Sequence, residues 1–179
     1  QISQADLCLI SKCDIGSSKK INSLETDLLK INPILRTKKI KNGRINPKFL
    51  FEKVSPSFRN IELLNQHPHE GVGSFAHGKI SSWSFKSDRD IDEPRFRDWI
   101  NMLYTLRPYA MLRMKGIIKF KSRKQPILIQ AVGTSMSELQ ELDGWPLNLN
   151  QTRLILIFNG LPQRSVSTSF SRWVLNEKG

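Results

Sequence analysis

Between residues 55 and 75 the chain loses its hydrophobic pattern. Pro56, Pro68, Gly71 and Gly73 punctuate a stretch that also holds His67 and His69. A single core does not run through a break of this kind, so the apolar residues on either side must be organised separately. The expected division is residues 1–54, a linker over 55–75, and a domain over 76–175. The expected fold class is α+β: a compact C-terminal domain of strand, helix, three strands and helix, preceded by a partial α/β unit.

The C-terminal pattern is the richer one. Lys79 to Phe85 reads as a strand, and Glu93-Pro94 opens a helix carrying Phe96, Trp99, Ile100, Leu103 and Leu106 on one face. Leu112, Met114, Ile118 and Phe120 then alternate with Arg113, Lys115, Lys119 and Lys121, which predicts a strand with one buried and one basic face. Gly116 in its middle predicts a bulge or a close approach of backbone. Ile127–Val132 and Leu154–Phe158 read as further strands, the latter apolar on both faces and so central. Val166, Phe170, Trp173 and Val174 fall on one stripe of a closing helix. The four tryptophans read as core or interface aromatics. Asp88, Asp90, Asp92 and Glu93 form an acidic turn suited to capping that first helix and to its dipole.

In the N-terminal part an apolar run over 5–11 leads into Ser11-Lys12-Cys13-Asp14. Ser17 and Ser18 can cap a helix with Ile21, Leu24, Leu28 and Ile31 at helical spacing, and Asn32-Pro33 stops it. Ile34–Ile40 reads as a second strand, Asn42-Gly43 as a turn, and Pro47–Val54 as a short helix. Strand, helix, strand, helix is the order of an open α/β sheet. Two such units cannot cover both faces of a parallel sheet, so this part is expected to be poorly sealed by itself. A fixed carboxylate after such a strand can accept from both the ring N–H and the exocyclic amine of guanine, a pair of donors that adenine lacks. Asp14 has that chemistry; Lys12 could lie along the base plane and Ser11 could tie the loop to its neighbours. The alternative is an aspartate capping the following turn.

Charge and composition bound the function. The formal net charge is +12, and Lys38, Lys39, Lys41, Arg44 and Lys48 form the densest basic stretch. That stretch suits either a solvated face or a polyanion-binding patch. A non-enzymatic basic module for RNA or acidic proteins is therefore the alternative function, but no RNA-binding aromatic motif, zinc finger or basic heptad array accompanies the charge, so a solvated face is the reading preferred and nucleic acid is not expected as a partner. No run of 18 apolar residues occurs, so no membrane partner is expected. Cys8 and Cys13 lie five positions apart and do not form a disulfide framework; reduced thiols fit a cytoplasmic protein. Cys8 reads as a small core residue. Gly73-x4-Gly78-Lys79 has phosphate-loop spacing, but Ile80 stands where a Mg²⁺-binding hydroxyl is needed and a strand follows instead of a helix. No serine–histidine–aspartate or paired-carboxylate set occurs, and no catalytic residue is expected. His67, His69 and His77 are candidate metal ligands, set against plain linker polarity for the first two and a structural hydrogen bond for His77.

The residues also carry a family resemblance. His77-x-x-Ile80-Ser81-Ser82, Trp99, Arg113-Met114-Lys115-Gly116-Ile117-Ile118, Gln130-x-Val132, Trp145 and Phe158-Asn159-Gly160 together resemble the C-terminal domain of the CobW family of P-loop GTPases. Gln1, Ala5, Asp6 and the Ser11-Lys12-Cys13-Asp14 loop resemble the end of that family's GTPase domain, whose base-reading motif is Asn/Thr-Lys-x-Asp. The serine departs from that motif, and Asn159 stands where the family usually has isoleucine. The resemblance implies a GTP- and Mg²⁺-dependent metal chaperone or insertase handling zinc, cobalt or a related ion. It implies nucleotide contacts at Ser11, Lys12 and Asp14. His77, Arg113 and Lys115 are the residues expected to touch the GTPase domain or a metal-dependent client protein. The family's phosphate loop, Mg²⁺ carboxylate and Cys-x-Cys-Cys metal motif have no counterpart in these residues. The chain is therefore expected to be the end of a nucleotide domain joined to a complete C-terminal domain, with no metal, nucleotide or hydrolysis of its own.

Overall fold

The computed structural model describes residues 1–51, 80–146 and 150–177. The chain divides into two units, Gln1–Val72 and Gly73–Gly179. In the first, a 3-10 turn (Ile2–Gln4) precedes β1 (Leu7–Ile10), α1 (Ser18–Ile31), β2 (Arg36–Lys39) and α2 (Pro47–Phe51). β1 and β2 are parallel, with Leu7 opposite Arg36 and Ile10 opposite Lys39, and α1 is the crossover between them. Ser17 caps α1, its Oγ accepting from the Lys20 amide at 3.4 Å.

Asn32 does more than end α1. It is fully buried. Its Nδ2 donates to the carbonyls of Ile2 and Ala5, both at 2.9 Å, while its Oδ1 accepts from the Ile34 amide at 3.2 Å. One side chain thus joins the entry to β1, the end of α1 and the approach to β2, and its amide leaves no unpaired donor. The apolar cluster here is small: Ile10, Leu28 and Leu35, with Ile2, Ala5, Cys8 and Cys13 against it. Leu24, expected to be buried, is exposed, as are Leu9, Leu29 and Leu50.

The second unit holds β3 (Ile80–Ser87), α3 (Glu93–Leu106), β4 (Met111–Ile118), β5 (Ile127–Val132), β6 (Ser135–Met136), β7 (Gln140–Glu141), β8 (Thr152–Asn159) and α4 (Gln163–Trp173). The sheet order is β3-β8-β4-β5-β6, with β7 also on β5, and every pairing is antiparallel. The last strand is inserted between β3 and β4, which is why Thr152–Phe158 is buried along its whole length. Phe96, Trp99 and Ile100 of α3 and Val166, Phe170 and Val174 of α4 share one core with Trp83, Met114, Ile118, Phe120, Leu154 and Leu156. Each such fully buried side chain contributes about 1.5–3 kcal/mol relative to exposure. The Trp99 Nε1–H is satisfied by Ser169 Oγ at 3.0 Å, linking the two helices.

Three expectations are corrected. Leu106 and Trp173 lie outside the core; Trp173 is 51% exposed, because the stripe of α4 that reaches the sheet ends at Phe170 and Val174. A bulge between Met111 and Arg113 puts Met111, not Leu112, into the core. The basic face of β4 is not a solvated one: Arg113 is 2% exposed and Lys115 8%, with Ile117, Arg153, Ile155 and Ile157 buried as well. Alternation put the two cations on one face correctly, but that face is covered.

Glu93 is the buried carboxylate of the unit, at 8% exposure. Its Oε1 accepts from Arg97 Nη2 at 2.8 Å, Arg97 Nε at 3.1 Å and Arg123 Nη2 at 3.0 Å. Its Oε2 accepts from Arg123 Nε at 2.7 Å and Ser122 Oγ at 3.1 Å. The hydrogen bond from Arg123 is the largest cause, and it helps hold the carboxyl at about 2 against an ordinary 4.5, with burial opposing the shift. Next to it Asp92 caps α3 by accepting from the Arg95 amide at 3.1 Å.

Two predictions follow from these contacts. A carboxyl with a lowered folded pKa stabilises the fold fully above its ordinary value, and that contribution is lost as pH falls from about 4.5 towards 2. Glu93→Gln should therefore cost on the order of 3 kcal/mol at neutral pH, leaving Arg123 and Arg97 without their anion, and much less at pH 3. Urea unfolding of both proteins at the two pH values measures this; an equal loss at both would refute it. At Gly116 an added Cβ would lie 2.6 Å from the Arg153 carbonyl oxygen and 3.1 Å from Leu154 Cα, both backbone atoms of β8. Gly116→Ala should lower the urea midpoint by the equivalent of about 1–3 kcal/mol. An unchanged midpoint would show that β4 and β8 separate at no cost.

Candidate guanine-recognition loop

The loop after β1 is shaped by backbone. Lys12 adopts a left-handed conformation, φ 58°, and its carbonyl accepts from the Ile15 and Gly16 amides at 3.3 and 3.1 Å. That turn throws Asp14 outward. The ladder continues past β1: the Ile40 amide donates to the Ile10 carbonyl at 2.8 Å and the Cys13 amide to the Ile40 carbonyl at 3.1 Å. Cys13 Sγ–H points back to the Ile10 carbonyl at 3.1 Å. Its thiol is spent locally, and Cys8 packs against the small apolar cluster.

Asp14 is exposed beyond the carboxyl ends of two parallel strands, where open α/β sheets place their ligand crevices. Its Oδ1 accepts from the Asn42 amide at 3.1 Å. Asn42 and Gly43 both have positive φ, 49° and 66°, and close a turn in which Arg44 N–H donates to the Lys41 carbonyl at 2.9 Å. Two loops from successive strands are thereby pinned to each other through one carboxylate. The turn was legible as Asn-Gly. Its grip on Asp14 was not, because the partners are 28 residues apart and meet only through the β1–β2 register. Ser11 and Lys12 are exposed at the same strand end. No side-chain hydrogen bond of Ser11 occurs among the described residues, so the loop is held without it.

The other candidate residues do not gather here. His67, His69 and His77 lie outside the described residues. Arg113 and Lys115 sit in mid-β4 and are buried, as given above. Among the described residues no group of three or more histidine, cysteine or acidic side chains is placed to hold a metal ion. No described helix is long and apolar enough to cross a membrane.

Residues 80–174, just over half of the chain, match the family described as cobalamin synthesis protein cobW C-terminal domain. Among solved structures the chain is similar to the Zn(II)-bound YjiA GTPase from E. coli, at TM-score 0.68 and 19% identity over 96% of this chain. A Zn(II)-bound triple mutant of the YjiA GTPase gives TM-score 0.69, again with 19% identity over 96% of the chain. In both cases the match covers 53% of the solved chain, so the present chain spans about half the length of those proteins. At that identity the likeness establishes the fold, and the α/β unit is included in it. The motifs on β3, α3, β4, β5 and β8 and the matched span agree: the chain belongs to the family of cobW C-terminal domains.

Proposed function

We propose that this chain forms the C-terminal part of a GTP-dependent metal chaperone or insertase, in which residues 1–54 close the guanine end of the nucleotide site. The observation that carries the reading is Asp14. It is a solvent-facing carboxylate at the carboxyl end of a parallel strand, pinned through one oxygen by a neighbouring loop, in a chain whose remaining half is a cobW C-terminal domain.

Asp14 reads guanine through its ring and exocyclic N–H groups, Lys12 lies along the base and Ser11 lines the loop. The Asn42 amide fixes the rotation of the carboxylate, so less orientational freedom is lost on binding. In the intact protein GTP is held with Mg²⁺, and zinc, cobalt or a related ion is the cargo. His67 and His69 in the linker, with His77 at the start of the C-terminal domain, are the candidate ligands for that cargo. The C-terminal domain supplies docking. Arg113 and Lys115 are cations that only polar or anionic partners can stabilise where they are buried, and with His77 they are assigned to contact with the nucleotide domain or the client protein. Nucleotide state then gates transfer of the metal.

The sequence carries no complete phosphate-loop motif, since Ile80 follows Gly78-Lys79 where a hydroxyl is required, and the phosphates contribute much of the affinity for a nucleoside triphosphate. Calorimetric titration of the 179-residue chain with GDP should show no micromolar binding. In the intact protein Asp14→Asn replaces an acceptor by a donor facing guanine's two N–H groups. It should weaken GTP at least tenfold (about 1.4 kcal/mol) without altering ATP affinity. Equal GTP affinity in the variant would remove Asp14 from the site.

A further inference from the structure

Between Asp27 and Glu52 the sequence holds seven lysines and arginines and no acid. The fold sorts these cations. Lys39 turns to Glu25, 3.0 Å from Nζ to carboxylate, and Lys30 to Asp27 at 2.9 Å. Arg36 and Lys38, two apart on β2, point to the opposite face. There both lie over the Phe49 ring of α2, the guanidinium carbon at 5.2 Å and the ammonium at 5.1 Å from its centroid. Lys48 is the neighbour of Phe49 in α2, and Lys41 and Arg44 pair across the turn that connects β2 to it. Lys38, Lys41, Arg44 and Lys48 are exposed, and among the described residues none of these five cations has an acidic partner.

We propose that this surface binds the phosphate backbone of nucleic acid, RNA in the first instance, without reading sequence. Three features favour phosphate over an acidic protein. The cations are mostly lysines, which make strong point contacts to phosphate but are depleted from the cores of protein interfaces. Among the residues whose side chains are described, no exposed aromatic stands among them to anchor a protein partner; Phe49 is already covered by Arg36 and Lys38. That stacking also orders two long side chains before any ligand arrives, which lowers the entropy cost of a shared anionic contact. Five cations against a single strand correspond to a slope of log K on log salt of about −3.5. Lys41 and Arg44 flank the turn whose Asn42 amide holds Asp14, so the patch borders the proposed guanine contact, but the proposal does not rest on that contact.

The test is fluorescence anisotropy of a labelled 20-nucleotide RNA with the purified chain at several salt concentrations, since binding of this kind fades steeply with salt. Saturable binding with a slope near −3 to −4 is expected. Lys38→Glu, Lys41→Glu and Arg44→Glu together should weaken it at least tenfold. Lys86→Glu, Lys121→Glu and Lys124→Glu together, the same charge change on exposed residues of the other unit, should leave it within about twofold. Phe49→Leu, which keeps every charge, should weaken binding two- to threefold. Far-UV circular dichroism of each variant checks that it is folded. Equal loss in both triple variants would reduce the effect to overall charge and overturn the proposal. So would absence of RNA binding beside tight binding of polyaspartate or of anionic vesicles, which would assign the patch to an acidic protein or a lipid surface.

Discussion

The carboxylate of Glu93 is the contact around which the C-terminal domain is assembled. An ionised group at this depth is costly unless its lone pairs are filled, and here donors come from α3 itself and from the β4–β5 connection. It sits in the first turn of α3, where the helix dipole favours a negative charge. Parallel to it, the Ile91 amide donates to the Lys119 carbonyl at 2.7 Å and Ile91 accepts from the Lys121 amide at 2.9 Å. The start of α3 is thus fixed to the end of β4 by backbone and side chain at once. That anchor sets which face of the helix meets the sheet, and so brings Phe96, Trp99 and Ile100 against Met114, Ile118 and Phe120.

Much of this arrangement could be read from residues, because local patterns have local causes. β8 is central, as its two-sided apolar run requires, and α1 begins at its serine cap. Gly116 proves to be a place where β8 backbone approaches β4, one of the two readings its position allowed. What escaped reading is what depends on distant partners. Glu93 read as a dipole-compensating acid, since Arg123 is 30 residues away. Arg113 and Lys115 read as one basic face of β4 set for contact; alternation tells which residues share a side, not that this side is already buried. Asn32 read as a stop signal, its three hydrogen bonds being invisible without the fold. β6 and β7, of two residues each, are too short to carry a period.

The loop after β1 is held chiefly by main-chain contacts. Its shape rests on main-chain bonds from Lys12, Cys13 and Ile40 and on the Asn42 amide. Among the described residues no side chain of Ser11 supports it. The side chain at position 11 therefore takes no part in fixing the loop. The position of Asp14 rests on main-chain contacts and not on the residue at position 11.

The aromatic cluster has an optical consequence. Trp83 and Trp99 are sealed against Phe170, with ring centroids 5.0 and 4.9 Å away, whereas the indole of Trp173 is half in solvent. Emission from the folded domain is accordingly heterogeneous: a short-wavelength component from Trp83 and Trp99 beyond the reach of iodide, and a red-shifted one from Trp173, with the half-buried Trp145 between them. Replacing both Trp173 and Trp145 leaves only the sealed pair, whose fluorescence then gauges how tightly α3 and α4 close on the sheet.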